Sequence, residues 1–257
     1  MLVVISPAKT LDFKTPLAHK KSSAPEFAQS ALELARVMRK LKPAELARLM
    51  HISGELALLN HTRYVEFSAA PAPAQTRQAL FAFKGDVYLG LDAVTLDRRA
   101  LDYAQARLRM LSGLYGVLRP YDVIQPYRLE MGCALKNSHG RDLYAYWGAR
   151  IAQALREQAR ALRTRSVVNL ASQEYWHAVD ETTLDLDVIA PQFKDWQRGQ
   201  YRFLSFYGKR ARGLMARFIV ERRCRKARDL EAFDVDGYRY NAELSTAGAP
   251  VFTRKST

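Results

Sequence analysis

The stretch Val167-Val168-Asn169-Leu170-Ala171-Ser172-Gln173-Glu174-Tyr175 reads as a buried strand that runs straight into a helix. Two β-branched residues and Leu170 suit a buried strand. Ser172 suits a helix cap, and Glu174 falls in the first helical turn, where the backbone dipole favours an acid. The same start recurs at the N-terminus, where Leu2 to Ile5 reads as a buried strand and Ser6-Pro7-Ala8-Lys9-Thr10 turns away from its end. In α/β folds, ligands sit beyond strand C-termini and against helix N-termini. Asn169 and Glu174 are therefore open between structural and site roles, while capping comes first for Ser172. Ser6 and Lys9 are candidates to hold an anion, although the stretch lacks the glycines of a phosphate loop.

Outward from these strands, helical and extended patterns alternate. Phe27, Ala31, Leu34, Met38 and Leu41 recur at spacings of four and three and predict a helix within Pro25 to Leu41. Pro43 opens a short helix, and His51-Ile52-Ser53-Gly54 leads into another that carries Leu56, Leu59 and Tyr64. The alanine–proline run Ala69 to Ala74 reads as a surface loop and is the best linker candidate. Gln75 to Phe83 reads as helix. Thr95 caps a predicted helix whose stripe is Leu101, Ala104, Leu108 and Leu111, ended by Gly113. Asp142 to Leu162 reads as one long helix. Val188 to Lys194 and Tyr201 to Tyr207 read as a hairpin about Arg198-Gly199. Asp236-Gly237 turns between short strands, and a last strand lies near Val251. The pattern predicts an α/β (mixed α+β) fold, a single compact domain over residues 1–257 with a mixed sheet.

The formal net charge is +14 in 257 residues, which favours a polyanionic partner or an anionic ligand. Ten cationic residues stand against Glu221 alone between Tyr201 and Arg228. Within that run, Phe206 to Val220 (FYGKRARGLMARFIV) divides on a helical wheel. Gly208, Ala211, Leu214, Met215, Phe218 and Ile219 form an apolar arc, and Lys209, Arg210, Arg212 and Arg217 form a basic one. Gly213 and Ala216 lie between them, small enough to let a large anionic partner approach the backbone. Nucleic-acid phosphate is the expected partner.

Cys133 and Cys224 have no metal-type spacing, and His19, His51, His61, His139 and His177 have no neighbouring ligand pattern. No metal and no cofactor are expected. The N-terminus lacks a signal-peptide pattern and no apolar run approaches a membrane span, so a cytoplasmic protein without a membrane partner is expected.

Two further constellations carry possible chemistry. From Pro43 to Phe67, two helices meet at a turn containing Ser53 and Gly54, with Lys42, Arg48 and Arg63 nearby. The local sequence fits an ordinary helical hairpin better than a helix-hairpin-helix phosphate binder, because only part of the Gly-hydrophobic-Gly turn is present. Leu111 to Gly132 (LSGLYGVLRPYDVIQPYRLEMG) packs tyrosines, arginines and acids at a density that a surface loop does not need. Arg119 and Arg128 suit bidentate carboxylate or phosphate binding, or internal pairing with Asp122 and Glu130.

Five blocks together, SPAKTLDF (6–13), FKGDVYLGLDA (83–93), LRMLSGLYGVLRPYDVIQPYRLEMG (108–132), NLASQEY (169–175) and SFYGKRARGLMARFI (205–219), closely resemble the YaaA family of bacterial peroxide-stress proteins. Gly208, where Ala is common, and Arg198, where Asn is usual before Gly, are small departures. The resemblance implies a cytoplasmic protein that limits peroxide damage and is associated with a lower pool of unincorporated iron. It also implies binding to duplex and branched DNA without sequence preference, and a helix-hairpin-helix at residues 43–67 beside a positive cleft. Its nucleic-acid set is then Lys42, Arg48, Ser53, Gly54, Arg63, Lys209, Arg210, Arg212 and Arg217. The alternative is an enzyme that processes a nucleic-acid or nucleotide base, glycosylase-like, in a polar cleft. Its catalytic candidates are Lys9, Asp86, Glu130, Asn169, Glu174 and Tyr207, and Ser6, Lys9, Tyr88, Tyr115, Arg119 and Arg128 hold a small anionic or nucleotide ligand. Direct iron sequestration is the third reading, and the missing ligand clusters weigh against it.

Overall fold

Strand Leu2–Ile5 is buried along its whole length and lies at the centre of a sheet, with a neighbour on each side. In the computed structural model, which describes residues 1–17 and 19–255, it pairs in parallel with Leu108–Ser112 and with Ser166–Leu170. Val3 stands opposite Leu108 on one side and Val168 on the other. A strand covered on both faces needs a continuous apolar run, and LVVI supplies it. Gly116–Leu118 and Asp187–Ile189 complete this five-stranded sheet at its two edges. A second five-stranded sheet runs in the order Gln200–Arg202, Gln192–Gln197, Val251–Arg254, Tyr238–Tyr240 and Asp234–Val235. Two short pairs join distant loops, Thr10–Leu11 with Phe83–Lys84 and Arg77–Gln78 with Val123–Ile124. One hydrophobic core runs from Met1 to Phe252 through both large sheets, so the fold is a mixed α/β single compact domain.

Several expected elements differ. Leu108 to Leu111 belongs to a strand, not to the preceding helix, which spans Arg98–Arg107. The spacing of Leu101, Ala104, Leu108 and Leu111 fits a helix, but pairing with Val3 to Ile5 overrides it. That helix is capped by Asp97, whose carboxylate accepts the Ala100 N–H at 2.7 Å. Thr95 instead ends a short 3-10 turn and bonds Asp92. Asp142 to Leu162 is two helices, Leu143–Trp147 and Arg150–Ala161, broken where Gly148 takes a φ of 48°. Between Gln75 and Phe83 only Ala79–Ala82 is α-helical, since Arg77–Gln78 is claimed by the Val123–Ile124 strand. Val188 and Lys194 fall in different sheets, with Pro191 between them. The helix at Ser205–Arg222 is as expected, while the strand before it stops at Arg202.

Candidate polar cleft and cationic surfaces

The connection from Leu2–Ile5 leads to Leu108–Ser112 on one side, whereas Ser166–Leu170 leads outward on the other. The point where the directions diverge lies between Leu2–Ile5 and Ser166–Leu170, and a crevice opens beyond their C-terminal ends. There the Ser6 hydroxyl accepts the Ser172 N–H at 2.8 Å and lies 3.3 Å from the Ser172 hydroxyl. Ser172 stands just before the Gln173–Trp176 helix but makes no capping bond with its side chain, whose hydroxyl oxygen instead accepts from the Ser6 hydroxyl.

A cavity of about 410 Å³ occupies this crevice. Its walls bring together Ser6, Lys9, Asp86, Tyr88, Arg128, Glu130, Glu174, Lys209 and Arg212 from the residues expected to matter. The Thr10–Leu11 and Phe83–Lys84 pair sets Lys9 beside Asp86. Arg128 donates to one oxygen of Glu130 through Nε at 3.1 Å and Nη2 at 2.8 Å, and Lys9 lies 3.5 Å from the same oxygen. Glu130 is largely buried and Lys9 largely exposed, so the acid is fixed and the amine is free to reach a ligand. Glu174 accepts the Gly132 N–H at 3.0 Å, tying the Leu111–Gly132 segment to the strand–helix turn. The Tyr88 hydroxyl donates to the Ser6 carbonyl at 3.0 Å, and burial pushes its pKa well up, so it holds the strand end and keeps its proton. Arg212 is half-buried, and burial pulls its pKa down.

Other expected residues lie elsewhere. The Tyr115 hydroxyl accepts the Gln125 N–H at 3.2 Å and faces a separate groove near Phe67. Arg119 pairs with buried Asp122 at 2.9 Å and donates to the Ala24 carbonyl, so internal pairing claims it. Asn169 accepts the Ala171 N–H at 2.9 Å and does not line the cleft, because side chains alternate along a strand and its neighbour Leu170 faces inward. Tyr207 lies outside the cleft with the Arg254 guanidinium over its ring at 4.7 Å. Arg210 is exposed outside the cleft. Arg217 donates to the carbonyls of Leu91 and Asp92 and to Thr95, and pairs with Glu221 at 2.7 Å, so it is not available to an outside phosphate. Gly213 and Ala216 do not leave room for a partner either. They are buried, and a Cβ on Gly213 would lie 1.9 Å from the Val87 carbonyl oxygen. The missing side chain at Gly213 seats the Asp86–Leu91 helix.

Lys84, Tyr127, Leu129 and Tyr175 also line the cleft and were not singled out in the sequence. Lys84 had a usable signal, a cation directly before Gly85-Asp86. The two aromatics and Leu129 carry none, since apolar residues in strands and loops read as core.

At the other candidate surface, Pro43–Met50 and Gly54–Glu66 are helices joined by His51, which takes a left-handed φ of 51°. Lys42, Arg48, Ser53 and Gly54 are exposed, and nothing lies within 4 Å of where a Gly54 Cβ would be. Ser53 caps the second helix by accepting the Leu56 N–H at 3.3 Å. Arg63 is half-buried and donates to Asn60 at 3.3 Å. Fully buried Tyr64, on the same helix, donates to the Arg128 carbonyl at 2.7 Å and so links this hairpin to the cleft wall.

Among the described residues, no group of three or more His, Cys, Asp or Glu is placed to hold a metal ion. No helix among them is long and apolar enough to cross a membrane. Cys133 and Cys224 are buried free thiols. Burial, reinforced by Glu130, pushes the Cys133 thiol up to about 12. Burial likewise pushes Cys224 up to about 11.

A family model described as "Peroxide stress protein YaaA" matches residues 1–244. A UPF0246 protein of Ralstonia pickettii (strain 12J) is 50% identical over 257 residues, covering 100% of both chains. A UPF0246 protein of Janthinobacterium sp. (strain Marseille) is 48% identical over 255 residues, covering 99% of both. One from Aliivibrio fischeri (strain ATCC 700601 / ES114) is also 48% identical over 255 residues, covering 99% of this chain and 98% of its own.

Proposed function

This chain belongs to the family of the peroxide stress protein YaaA, and from that premise we propose that it acts in peroxide defence as a sequence-independent DNA-binding protein. The observation that carries this reading is the open hairpin turn, where Ser53 and Gly54 are exposed and nothing lies within 4 Å of a Gly54 Cβ, on a helix pair that also exposes Lys42 and Arg48. Helix N-terminal amides and nearby cations hold phosphate without reading bases. Lys209 and Arg210 extend the cationic surface on the Ser205–Arg222 helix. The protein lowers the pool of unincorporated iron and so limits iron-driven radical damage to the DNA it covers. Thiol chemistry toward peroxide is disfavoured, because attack needs a thiolate and both thiols are held protonated.

Duplex binding measured across a salt series tests the reading. The logarithm of affinity falls linearly with the logarithm of salt, and Lys42→Ala and Arg48→Ala each reduce the slope by about 1. An affinity that ignores salt refutes it. Chelatable iron, measured in cells with and without the protein under peroxide, checks the iron arm: equal pools refute that arm alone.

The cleft supports a second reading, a base-processing activity on a nucleotide. What favours it is the Lys9–Glu130–Arg128 cluster, which shares one cavity with Glu174 and Asp86 at the sheet's switch point. Glu130→Gln and Glu174→Gln then abolish peroxide protection while DNA binding persists. Folded variants that protect normally remove its basis.

A further inference from the structure

Phe206 is 72% exposed and Phe203 55% exposed, on either side of the start of the Ser205–Arg222 helix. Large aromatic rings left in water contribute little to folding, since their stabilising value comes from burial. The two are not isolated. Lys209 and Arg210 lie three and four residues beyond Phe206, on the same helix face, and both are exposed. The Arg212 guanidinium lies 5.9 Å from the centre of the Phe203 ring and lines the cleft, as does Lys209. No carboxylate among the described residues lies within ion-pair distance of Lys209, Arg210 or Arg212. A row of open rings and unpaired cations thus leads to the mouth of the polar cavity.

The chemistry of that row selects among partners. A purely apolar partner would cover Lys209 and Arg210 and leave their charge unmatched. An acidic peptide would match the charge and leave the flat ring faces without a flat partner. Intact duplex matches the charge too, but its bases are stacked on one another and offer no free face to a ring. An unpaired strand offers both a phosphate for each cation and a base face for each ring, which is how sequence-tolerant single-strand sites work. Tyr207 is less suited to this role, because it is less exposed than either phenylalanine and Arg254 sits over its ring at 4.7 Å, closer than Arg212 sits to Phe203.

We propose that Phe203 and Phe206 form a stacking platform for unpaired bases of single-stranded DNA, with Lys209, Arg210 and Arg212 holding the phosphates and directing the strand toward the cleft. This rests on the reading that DNA is the partner, and it adds which form of DNA this surface takes. The platform is separate from the Ser53-Gly54 turn, so the two surfaces together suit a junction between duplex and unpaired strand.

Fluorescence anisotropy with the full chain tests it, using labelled oligo(dT), a blunt duplex of equal length, and the same duplex with a single-stranded overhang. Phe206→Ala weakens oligo(dT) binding by about 10-fold, the loss expected for one stacked base. It leaves the blunt duplex within about 2-fold, and Phe206→Tyr retains oligo(dT) binding. The overhang duplex binds more tightly than the blunt one, and Phe206→Ala removes the difference. A Phe206→Trp reporter is quenched by oligo(dT), which checks stacking directly in a variant that keeps an aromatic ring. The proposal is overturned if Phe206→Ala weakens both DNA forms equally or neither, or if the reporter is not quenched. It is also overturned if polyglutamate or anionic vesicles displace oligo(dT) with an equal dependence on Phe206. If blunt duplex binds with the expected salt slope while oligo(dT) does not bind, only this inference fails. If neither form binds at low salt, the DNA reading fails with it.

Discussion

The two halves of the Ser205–Arg222 helix carry similar residues and meet different surroundings. In the first half Phe206, Lys209 and Arg210 face open solvent. In the second, Gly213 and Arg217 press on the Asp86–Leu91 helix and the turn that follows it, and Ala216 is buried. A helical wheel treats the helix as one cylinder with one partner per face. Here the neighbour changes halfway, so a small residue is a close contact and an arginine is a clamp. The basic face is therefore divided: part of it is offered to a ligand, and part holds the fold.

Gly213→Ala puts the largest strain on this division. Its Cβ would lie 1.9 Å from the Val87 carbonyl oxygen, and across the same crossing a Cβ on Gly90 would lie 2.4 Å from the Arg210 carbonyl oxygen. Backbone cannot give way as a flexible side chain can, so the helices must separate. Overpacking of this kind costs about 3 kcal/mol, well above the roughly 1 kcal/mol that alanine gains in helix propensity. A thermal melt should show a fall of about 6 °C or more for a chain of this size. A melt that matches the wild type would mean that the crossing is not tight.

Arg217→Met follows. It leaves the Leu91 and Asp92 carbonyls and Thr95 without the guanidinium, and it breaks the pair with Glu221. We expect a loss of about 2 kcal/mol in a denaturant titration, in the range for charged hydrogen bonds. The salt slope for DNA should stay as it was, because this cation is spent inside the protein. Lys209→Ala and Arg210→Ala should do the reverse. Stability should hold within about 0.5 kcal/mol, as for exposed residues, while each variant lowers the salt slope by about 1. If Arg217→Met shifted the slope and Lys209→Ala did not, the division of the helix would be drawn in the wrong place.

The same distinction explains what could be read from the sequence. Leu2–Ile5 and Ser166–Leu170 were legible because a strand covered on both faces announces itself as an unbroken apolar run. Leu108–Ser112 was not, since its leucines keep helical spacing and only pairing with Val3 to Ile5 makes it a strand. Ser6, Lys9, Glu130 and Glu174 stood out as polar residues at the ends of strands or in a dense loop. That they meet depends on the order of the sheet, which no local pattern encodes. Asn169 was one residue from the correct face. Arg119 had a carboxylate three positions away, and the ambiguity its sequence posed was resolved toward that internal pair.

Gly208→Ala is the smallest change and the finest probe of the exposed half. Alanine adds about 1 kcal/mol of helix propensity. Against this, its Cβ would lie 2.6 Å from a ring carbon of Phe203, so the ring must move. Phe203 is more than half exposed, and an exposed ring moves at little cost, unlike the Val87 backbone that faces Gly213. The two terms nearly cancel, and the melt should stay within about 2 °C of wild type, equivalent to less than 1 kcal/mol. DNA binding should separate what stability does not. If Phe203 is a stacking ring held in place by the absence of a side chain at Gly208, moving it weakens oligo(dT) and spares blunt duplex. Should Gly208→Ala bind oligo(dT) as the wild type does, Phe206 would be the platform alone, and the second ring would drop out.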